Sequence, residues 1–111
     1  MGRQILKVLE CDSGYEYQGP RFIKLGPFSG ELFRDSFLLP WLEKYGDKEN
    51  TLEIDFTGTT VYTPSFLEEA FGGAVRKGYK NTIENVIFSN IPDKQLEKVE
   101  RYIREAKVEK K

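Results

Sequence analysis

The stretch that decides the fold is Thr51-Leu-Glu-Ile-Asp-Phe-Thr-Gly58, followed by Thr59-Thr-Val-Tyr-Thr-Pro-Ser-Phe-Leu-Glu-Glu-Ala-Phe71. Its first part predicts a buried strand ending at a glycine turn, and its second part predicts a helix entered from a short loop. Thr63 is the expected N-cap and Pro64 the first helical residue, where a missing N–H costs nothing. Ser65 then lies at the positive end of the helix dipole, which is a favourable place for a phosphate.

Short apolar runs on either side of this stretch predict further strands. Residues 4–10 and 21–25 indicate two strands of a hairpin across residues 4–25, with residues 15–17 as a possible opening of the second strand. A further buried strand is predicted over residues 85–89. These runs surround the central strand and predict a small sheet.

Helical periodicity fills the remaining segments. A first helix is predicted to begin near Ser29 and to end at Gly46, with Pro40 kinking or splitting it because proline removes a backbone donor. The second helix is expected to end at Gly78, and Pro92 to open a last helix whose inward residues are Leu96, Val99, Ile103 and Ala106.

The predicted fold is therefore α/β, in the order strand, strand, helix, strand, helix, strand, helix. Helical crossovers between the later strands imply parallel neighbours, and the hairpin makes the whole a mixed sheet of about four strands packed with three helices. With 111 residues the chain is expected to be one domain, residues 1–111, with a charged C-terminal tail at 107–111.

Composition excludes several classes of function. With 17 basic and 18 acidic residues the chain lacks the basic excess of a nucleic-acid binder. The absence of histidine removes Ser–His and Cys–His nucleophile pairs and most zinc sites. The single Cys11 cannot form an internal disulfide, and no apolar run approaches the ~20 residues of a membrane span. A cytoplasmic protein without a secretory leader is expected, neither an enzyme nor a membrane protein, with no cofactor and no metal.

Two motifs resemble a known family. The sequences Asp55-Phe-Thr-Gly58 and Thr63-Pro-Ser65-Phe-Leu67 resemble the strand–loop–helix core of STAS domains, the anti-sigma-factor-antagonist modules. The closer resemblance is to a STAS-like bacterial family of unassigned function. In that family an Asp-Phe-x-Gly strand leads to a Ser-Phe pair and an acidic–Ala–Phe–Gly helix, here residues 65–72. The resemblance covers residues from about 21 to 88 and implies the topology predicted above.

The resemblance also implies a phosphorylation switch and a protein partner. The acceptor serine of phosphorylated STAS domains falls on Pro64, so Thr63 and Ser65 are the hydroxyls left to carry a phosphate, near the repelling Glu68 and Glu69. The alternative is that Thr63 only caps the helix and Ser65 is an ordinary first-turn residue. The implied partner is a histidine-kinase-type ATPase or another regulator.

Other residues admit two interpretations each. Asp55 could ligate a metal or act as a base, but an Asp there more often caps the following turn. Glu68 and Glu69 are typical of surface charges that complement the helix dipole. Gly72 and Gly73, which cost ~1 kcal/mol each in a helix interior, indicate either close packing or an early helix end.

The leading hypothesis is a STAS-like interaction and regulatory module, switched at a loop comprising Asp55, Gly58, Thr63 and Ser65. The alternative is a sensor that binds a small ligand, such as a nucleotide, at the same helix N-terminus. An enzyme acting through Asp55 and Glu68 is the weakest of the three hypotheses. The sequence does not indicate the oligomeric state.

Overall fold

The computed structural model describes residues 2–46 and 49–108, and the sheet within them is parallel and three-stranded. Strands β1 (Gly2–Lys7), β2 (Asn50–Asp55) and β3 (Ile87–Ser89) lie in the order β1-β2-β3. The register pairs Ile5 with Glu53, and Glu53 in turn with Ile87. Right-handed crossovers between sequential parallel strands place the intervening helices on the same face of the sheet.

Three long helical segments alternate with the strands. Helix α1 spans residues 30–45, with a wide π-type turn, Arg34–Leu38, between its segments Gly30–Phe33 and Leu39–Tyr45. Helix α2 begins with Pro64–Leu67, continues through Glu68–Gly72 and ends in Val75–Tyr79, followed by the single turn Lys80–Ile83. Helix α3 is Asp93–Lys107.

Most of the predicted helix ends are confirmed. The Ser29 hydroxyl accepts a hydrogen bond from the Leu32 amide at 3.0 Å, which caps α1. Gly46 directly follows α1, and Gly78 adopts φ +103°, the left-handed conformation that ends a helix. Pro92 directly precedes α3, in which Val99, Ile103 and Ala106 are buried. Residues 109–111 of the predicted tail lie outside the described residues.

The predicted hairpin across residues 4–25 is wrong, and the sheet is not mixed. After β1 the chain forms the short turns Val8–Cys11, Ser13–Glu16 and Ile23–Leu25 instead of a second strand. Packing explains the difference, because Tyr15 is fully buried with its ring centroid 5.3 to 6.0 Å from those of Phe28, Phe33, Phe37 and Phe66. The aromatic run therefore fills the core beside α1 and α2. The described residues form three strands, where about four were predicted.

The predicted effect of Pro40 takes the form of the wide turn Arg34–Leu38, which separates Gly30–Phe33 from Leu39–Tyr45, and Pro40 lies in the first turn of the second segment. The Leu39 amide donates to the Arg34 carbonyl, five residues back, and Leu39 keeps helical angles of φ −65° and ψ −42°. A wide turn thus precedes the proline and relieves the clash of its ring with the preceding turn. The chain stays helical from residue 30 to residue 45.

The main core lies between the sheet and the helices. Leu52 and Ile54 of β2 point into it, together with the next residue but one, Phe56. Phe71 of α2 packs its ring against Phe33, Phe56 and Phe88 at centroid distances of 5.3 to 6.2 Å. None of the helices formed by the described residues is long and apolar enough to cross a membrane.

Candidate functional site

The loop that enters α2 is held by backbone hydrogen bonds to a distant segment. The amides of Thr60 and Val61 donate to the Glu16 carbonyl at 2.8 and 3.1 Å, and the Gln18 amide donates to the Val61 carbonyl at 3.1 Å. Tyr17 and Val61 pair as an isolated parallel bridge. Residues 16–18 therefore run alongside residues 60–61 as a short strand-like segment.

Thr63 occupies the predicted N-cap position, but its side chain does not cap the helix. The Leu67 amide donates to the Thr63 carbonyl at 3.0 Å, which is the first bond of α2. The Thr63 hydroxyl instead donates to the Gln18 carbonyl at 3.0 Å, and the Thr63 amide donates to Gln18 Oε1 at 2.9 Å. The prediction of a side-chain cap is wrong because Gln18 supplies the competing partner. We call these two hydrogen bonds the Thr63–Gln18 latch.

Ser65 lies in the first turn of α2, as predicted, and is partly exposed. Its hydroxyl forms no hydrogen bond to any described residue, in contrast to that of Thr63. Pro64 beside it is exposed. The two candidate hydroxyls are thus close in the chain but differ in their bonding. The Thr63 hydroxyl is hydrogen-bonded, whereas the Ser65 hydroxyl is not bonded to any described residue.

Asp55 lies at the carboxyl end of β2 and forms the turn cap considered from the sequence. Its Oδ1 accepts hydrogen bonds from the Thr57 amide at 2.8 Å, the Thr57 hydroxyl at 2.6 Å and Asn90 Nδ2 at 2.9 Å. Burial opposes ionisation of Asp55, but the bonds from Thr57 and Asn90 outweigh it and lower the pKa of the carboxyl below its usual value. Gly58 follows with φ +91°, a conformation that suits glycine.

A shallow crevice of about 300 Å³ opens beside Asp55, lined by Lys7, Leu9, Glu10, Asp55 and Thr57. It lies at the carboxyl ends of parallel strands, where α/β proteins commonly bind ligands. No group of three or more Cys, Asp or Glu side chains among residues 2–46 and 49–108 is arranged to hold a metal ion. The crevice therefore offers one ammonium and two carboxylates without a metal-binding set.

An ionic cluster supports the other side of the α2 entrance. Arg21 reaches Glu68 at 2.5 Å and Glu69 at 3.2 Å, and Arg76 holds Glu68 through two hydrogen bonds of 2.7 and 3.1 Å. The buried Arg34 of α1 pairs with Glu69 as well. Burial of Glu68 opposes its ionisation, but the bonds from Arg76 and Arg21 outweigh this and lower its pKa. Glu68 and Glu69 were predicted as surface charges, but they are largely buried and paired with arginines.

The same cluster explains the Gly72-Gly73 pair. A Cβ added at Gly73 would lie 2.8 Å from Arg34 Nη1, and one at Gly72 would lie 2.7 Å from Glu68 Oε2. Gly73 itself keeps helical angles of φ −61° and ψ −36°. Close packing is therefore the correct alternative, and the helix does not end early at the glycines.

Exposed apolar side chains gather near the α2 entrance. Phe22, Ile23 and Leu25 are exposed around a single turn, and a groove of about 450 Å³ runs along this turn to Glu31. Tyr17 and Val61, which form the bridge described above, are exposed as well. We call Phe22, Ile23 and Leu25 the apolar turn. Its neighbour Arg21 ties it to the first turns of α2.

Gln18 at the entrance carries a buried polar atom that has no hydrogen-bond partner among the described residues. Gln18 is only 6% exposed, and while its Oε1 accepts from the Thr63 amide, its Nε2 forms no hydrogen bond. A buried donor without a partner costs roughly 1–3 kcal/mol. Sequence reasoning did not select Gln18 or Arg21, because their partners lie 45 and 47 residues away in the chain.

The predicted site residues fall into two groups. Thr63 and Ser65 lie together on the first turn of α2, beside Gln18. Asp55 and Gly58 lie at the other end of the loop, where Asp55 bonds Thr57 and Asn90 and contacts neither Thr63 nor Ser65 through a hydrogen bond. Whether these four residues form one functional site stays a prediction.

The parallel sheet, the helical crossovers and the loop-entered helix define a small STAS-like α/β domain. A family model described as a STAS-like domain of unknown function (DUF4325) matches residues 29–95, which is more than half of the chain, and the chain therefore belongs to this family. The match begins at Ser29, so β1, residues 16–18 and the apolar turn lie outside it. No curated protein and no solved structure matches the chain significantly.

Proposed function

We propose that this chain is a protein-interaction module of regulatory function, whose partner docks at the entrance to α2. The observation that carries the proposal is the apolar turn, where Phe22, Ile23 and Leu25 are exposed together beside the α2 entrance. Exposed contiguous apolar side chains on a small domain are typical of protein-binding surfaces. A cytoplasmic bacterial partner, such as a histidine-kinase-type ATPase, is part of the proposal and rests on the family resemblance.

The proposed switch is a phosphate on the first turn of α2. On Ser65 it would add charge at the helix N-terminus without breaking an existing hydrogen bond. On Thr63 it would remove the donor of the Thr63–Gln18 latch and loosen residues 16–18. The repulsion expected from Glu68 and Glu69 is reduced by their pairing with Arg21, Arg34 and Arg76.

The test is affinity purification of the tagged chain from its own cells, with bound proteins identified by mass spectrometry. Ile23→Glu/Leu25→Glu should lose the specific partner, whereas Val108→Glu, at an exposed apolar position directly after α3, should retain it. Loss in Thr63→Ala/Ser65→Ala would support the switch. The proposal fails if every protein bound by the wild type is also bound by Ile23→Glu/Leu25→Glu.

A second candidate function is binding of a nucleotide phosphate at the same helix end. It is favoured by the unpartnered Gln18 Nε2 beside the first turn of α2, since a phosphate oxygen could accept its hydrogen bond. ATP, GTP and inorganic phosphate should then raise the melting temperature of the wild type but not of Gln18→Leu. Equal shifts in both proteins, or none in the wild type, would contradict this function.

A further inference from the structure

Strand β3 leaves one edge of the sheet unpaired. It pairs with β2 on one side and with no strand of the described residues on the other. The Phe56 amide donates to the Ser89 carbonyl at 3.0 Å, so the backbone groups of Ser89 point toward β2. Successive residues of a strand point these groups to opposite sides, so those of Phe88 point outward. The Phe88 N–H and C=O have no hydrogen-bond partner among residues 2–46 and 49–108, and such an edge is a template for another strand.

An open cavity of about 260 Å³ adjoins this edge, between β3 and α3. Its apolar lining comes from Ile83, Val86, Phe88 and Ile103. A cavity of about 150 Å³ is enough to hold a benzene ring. The cavity therefore accommodates one large apolar side chain beside the unpaired backbone groups of Phe88.

The rim of the cavity is charged, but its charges balance. Lys107 Nζ donates to Glu84 Oε1 at 2.6 Å, and Glu100 and Arg104 add one charge of each sign. The rim therefore selects no net charge in an occupant. Backbone hydrogen bonds and one apolar side chain have to provide the binding.

The unpaired edge and the adjoining cavity together select an extended peptide. A helix bonds its backbone groups internally and would leave the Phe88 N–H and C=O without partners. A second copy pairing through its own β3 would present Val86 and Phe88 on the cavity side, but these side chains pack into its own core. Three residues also span only about 10 Å of edge, whereas a stable dimer buries about 800 Å² of each copy.

We propose that the β3 edge binds an extended segment of a partner protein, which adds a strand to the sheet and inserts one apolar side chain into the cavity beside α3. The Phe88 N–H donates to a carbonyl of the segment, and the Phe88 C=O accepts from one of its amides. In this mode of recognition the main-chain bonds give affinity and the pocket gives specificity. The β3 edge shares no residue with the α2 entrance, so the proposal does not rest on the function proposed above.

The test uses synthetic seven-residue peptides of threonine, a strand-forming residue, with a central leucine or a central alanine. In a titration of the ¹⁵N-labelled full chain, the leucine peptide should shift the Phe88 amide signal and bind about tenfold more tightly than the alanine peptide. Two further leucine peptides carry N-methyl groups on alternate amides, one on each edge of the peptide. One of them should bind and the other should not, because only one edge bonds β3.

A pair of tryptophan substitutions on α3 locates the binding. Arg104→Trp fills the cavity from its rim and should weaken binding of the leucine peptide at least tenfold. Arg101→Trp, at a half-exposed position that does not line the cavity, is the matched control and should leave binding unchanged. Circular dichroism checks that both variants are folded, and Glu100→Trp replaces Arg104→Trp if the latter unfolds.

Several results would overturn the proposal. Equal binding of the leucine and alanine peptides, equal binding of the two methylated peptides, or no binding at millimolar concentration would each do so. Equal weakening by Arg101→Trp and Arg104→Trp would do so as well. In the free chain the Phe88 amide should exchange with solvent faster than the Ser89 amide, and equal protection of the two would show that the edge is already covered. An oligomer in sedimentation velocity that Arg104→Trp dissociates would mean that a second copy is the occupant.

Discussion

The two faces of the sheet are built from the same three strands but depend on different forces. On β2, Ile54 is fully buried under the helices, whereas its neighbour Glu53 lies on the opposite face of the sheet and is held by Arg3 and Ser89. We call this second face, where Ile5 and Ile87 are exposed, the open face. Burial of an aliphatic or aromatic side chain contributes roughly 1.5–3 kcal/mol, whereas Ile5 and Ile87 on the open face remain 43% and 48% exposed and gain only part of it. Substitutions on the covered face should therefore be much more damaging.

The strongest test of this contrast is Phe71→Ala on the covered face. Phe71 is fully buried and contacts Phe33, Phe56 and Phe88, so the substitution should lower the free energy of unfolding by about 3–5 kcal/mol. Ile87→Ala on the open face should cost less than about 1 kcal/mol. Urea unfolding followed by circular dichroism measures both. Equal costs would mean that the open face is covered in solution.

A smaller effect is expected where α1 and α2 meet above the covered face. Gly73→Ala should cost roughly 1–3 kcal/mol, because its Cβ would lie 2.8 Å from Arg34 Nη1, although alanine favours a helix by ~1 kcal/mol. In the Arg34→Met background the same change should be neutral or stabilising. Urea midpoints of the wild type, Gly73→Ala, Arg34→Met and the double variant give the coupling between residues 34 and 73. Additive effects would show that Arg34 does not restrict Gly73.

The central strand and helix could be predicted because their signals are local. Leu52, Ile54 and Phe56 alternate with Glu53 and Asp55, and Pro64 fixes the start of α2 by its own ring. The structure of residues 8–28 could not be predicted, because its apolar residues follow neither the period of a strand nor that of a helix throughout. Tyr15 is buried by Phe28, Phe33, Phe37 and Phe66, which only the folded chain brings together.

The candidate site follows the same division. The positions of Thr63 and Ser65 on the first turn of α2 were predictable from Pro64. The Thr63–Gln18 latch could not be predicted, because a Thr before a helix normally caps the first turn of that helix. Nothing in the local sequence indicates that Gln18, 45 residues away, binds Thr63 instead. The pairing of Glu68 and Glu69 with three arginines could not be predicted either, although the Gly72-Gly73 pair indicated close packing against α2.

A weaker effect is expected at the entrance to α2, away from both faces of the sheet. Thr63→Val removes the hydroxyl of the Thr63–Gln18 latch and should cost about 1 kcal/mol, the usual net contribution of one hydrogen bond. Ser65→Ala is the matched control, because the Ser65 hydroxyl makes no hydrogen bond to the described residues, and it should change stability by less than about 0.5 kcal/mol. Thermal unfolding of both variants is the measurement. Equal destabilisation by the two would contradict the latch.

The smallest effect, and the one specific to the open face, is the pH dependence of Glu53. Hydrogen bonds from Ser89 and Arg3 lower the pKa of Glu53 below the usual value of 4.5, so its contribution is complete above that value and is lost as the pH falls through the lower folded pKa. The difference in urea midpoint between the wild type and Glu53→Gln should therefore be largest at pH 7 and shrink in acid. Glu97→Gln, exposed on α3, is the control and should differ little at any pH. A difference that stays constant from neutral pH into acid would mean that the Arg3–Glu53–Ser89 network acts through shape and not through charge.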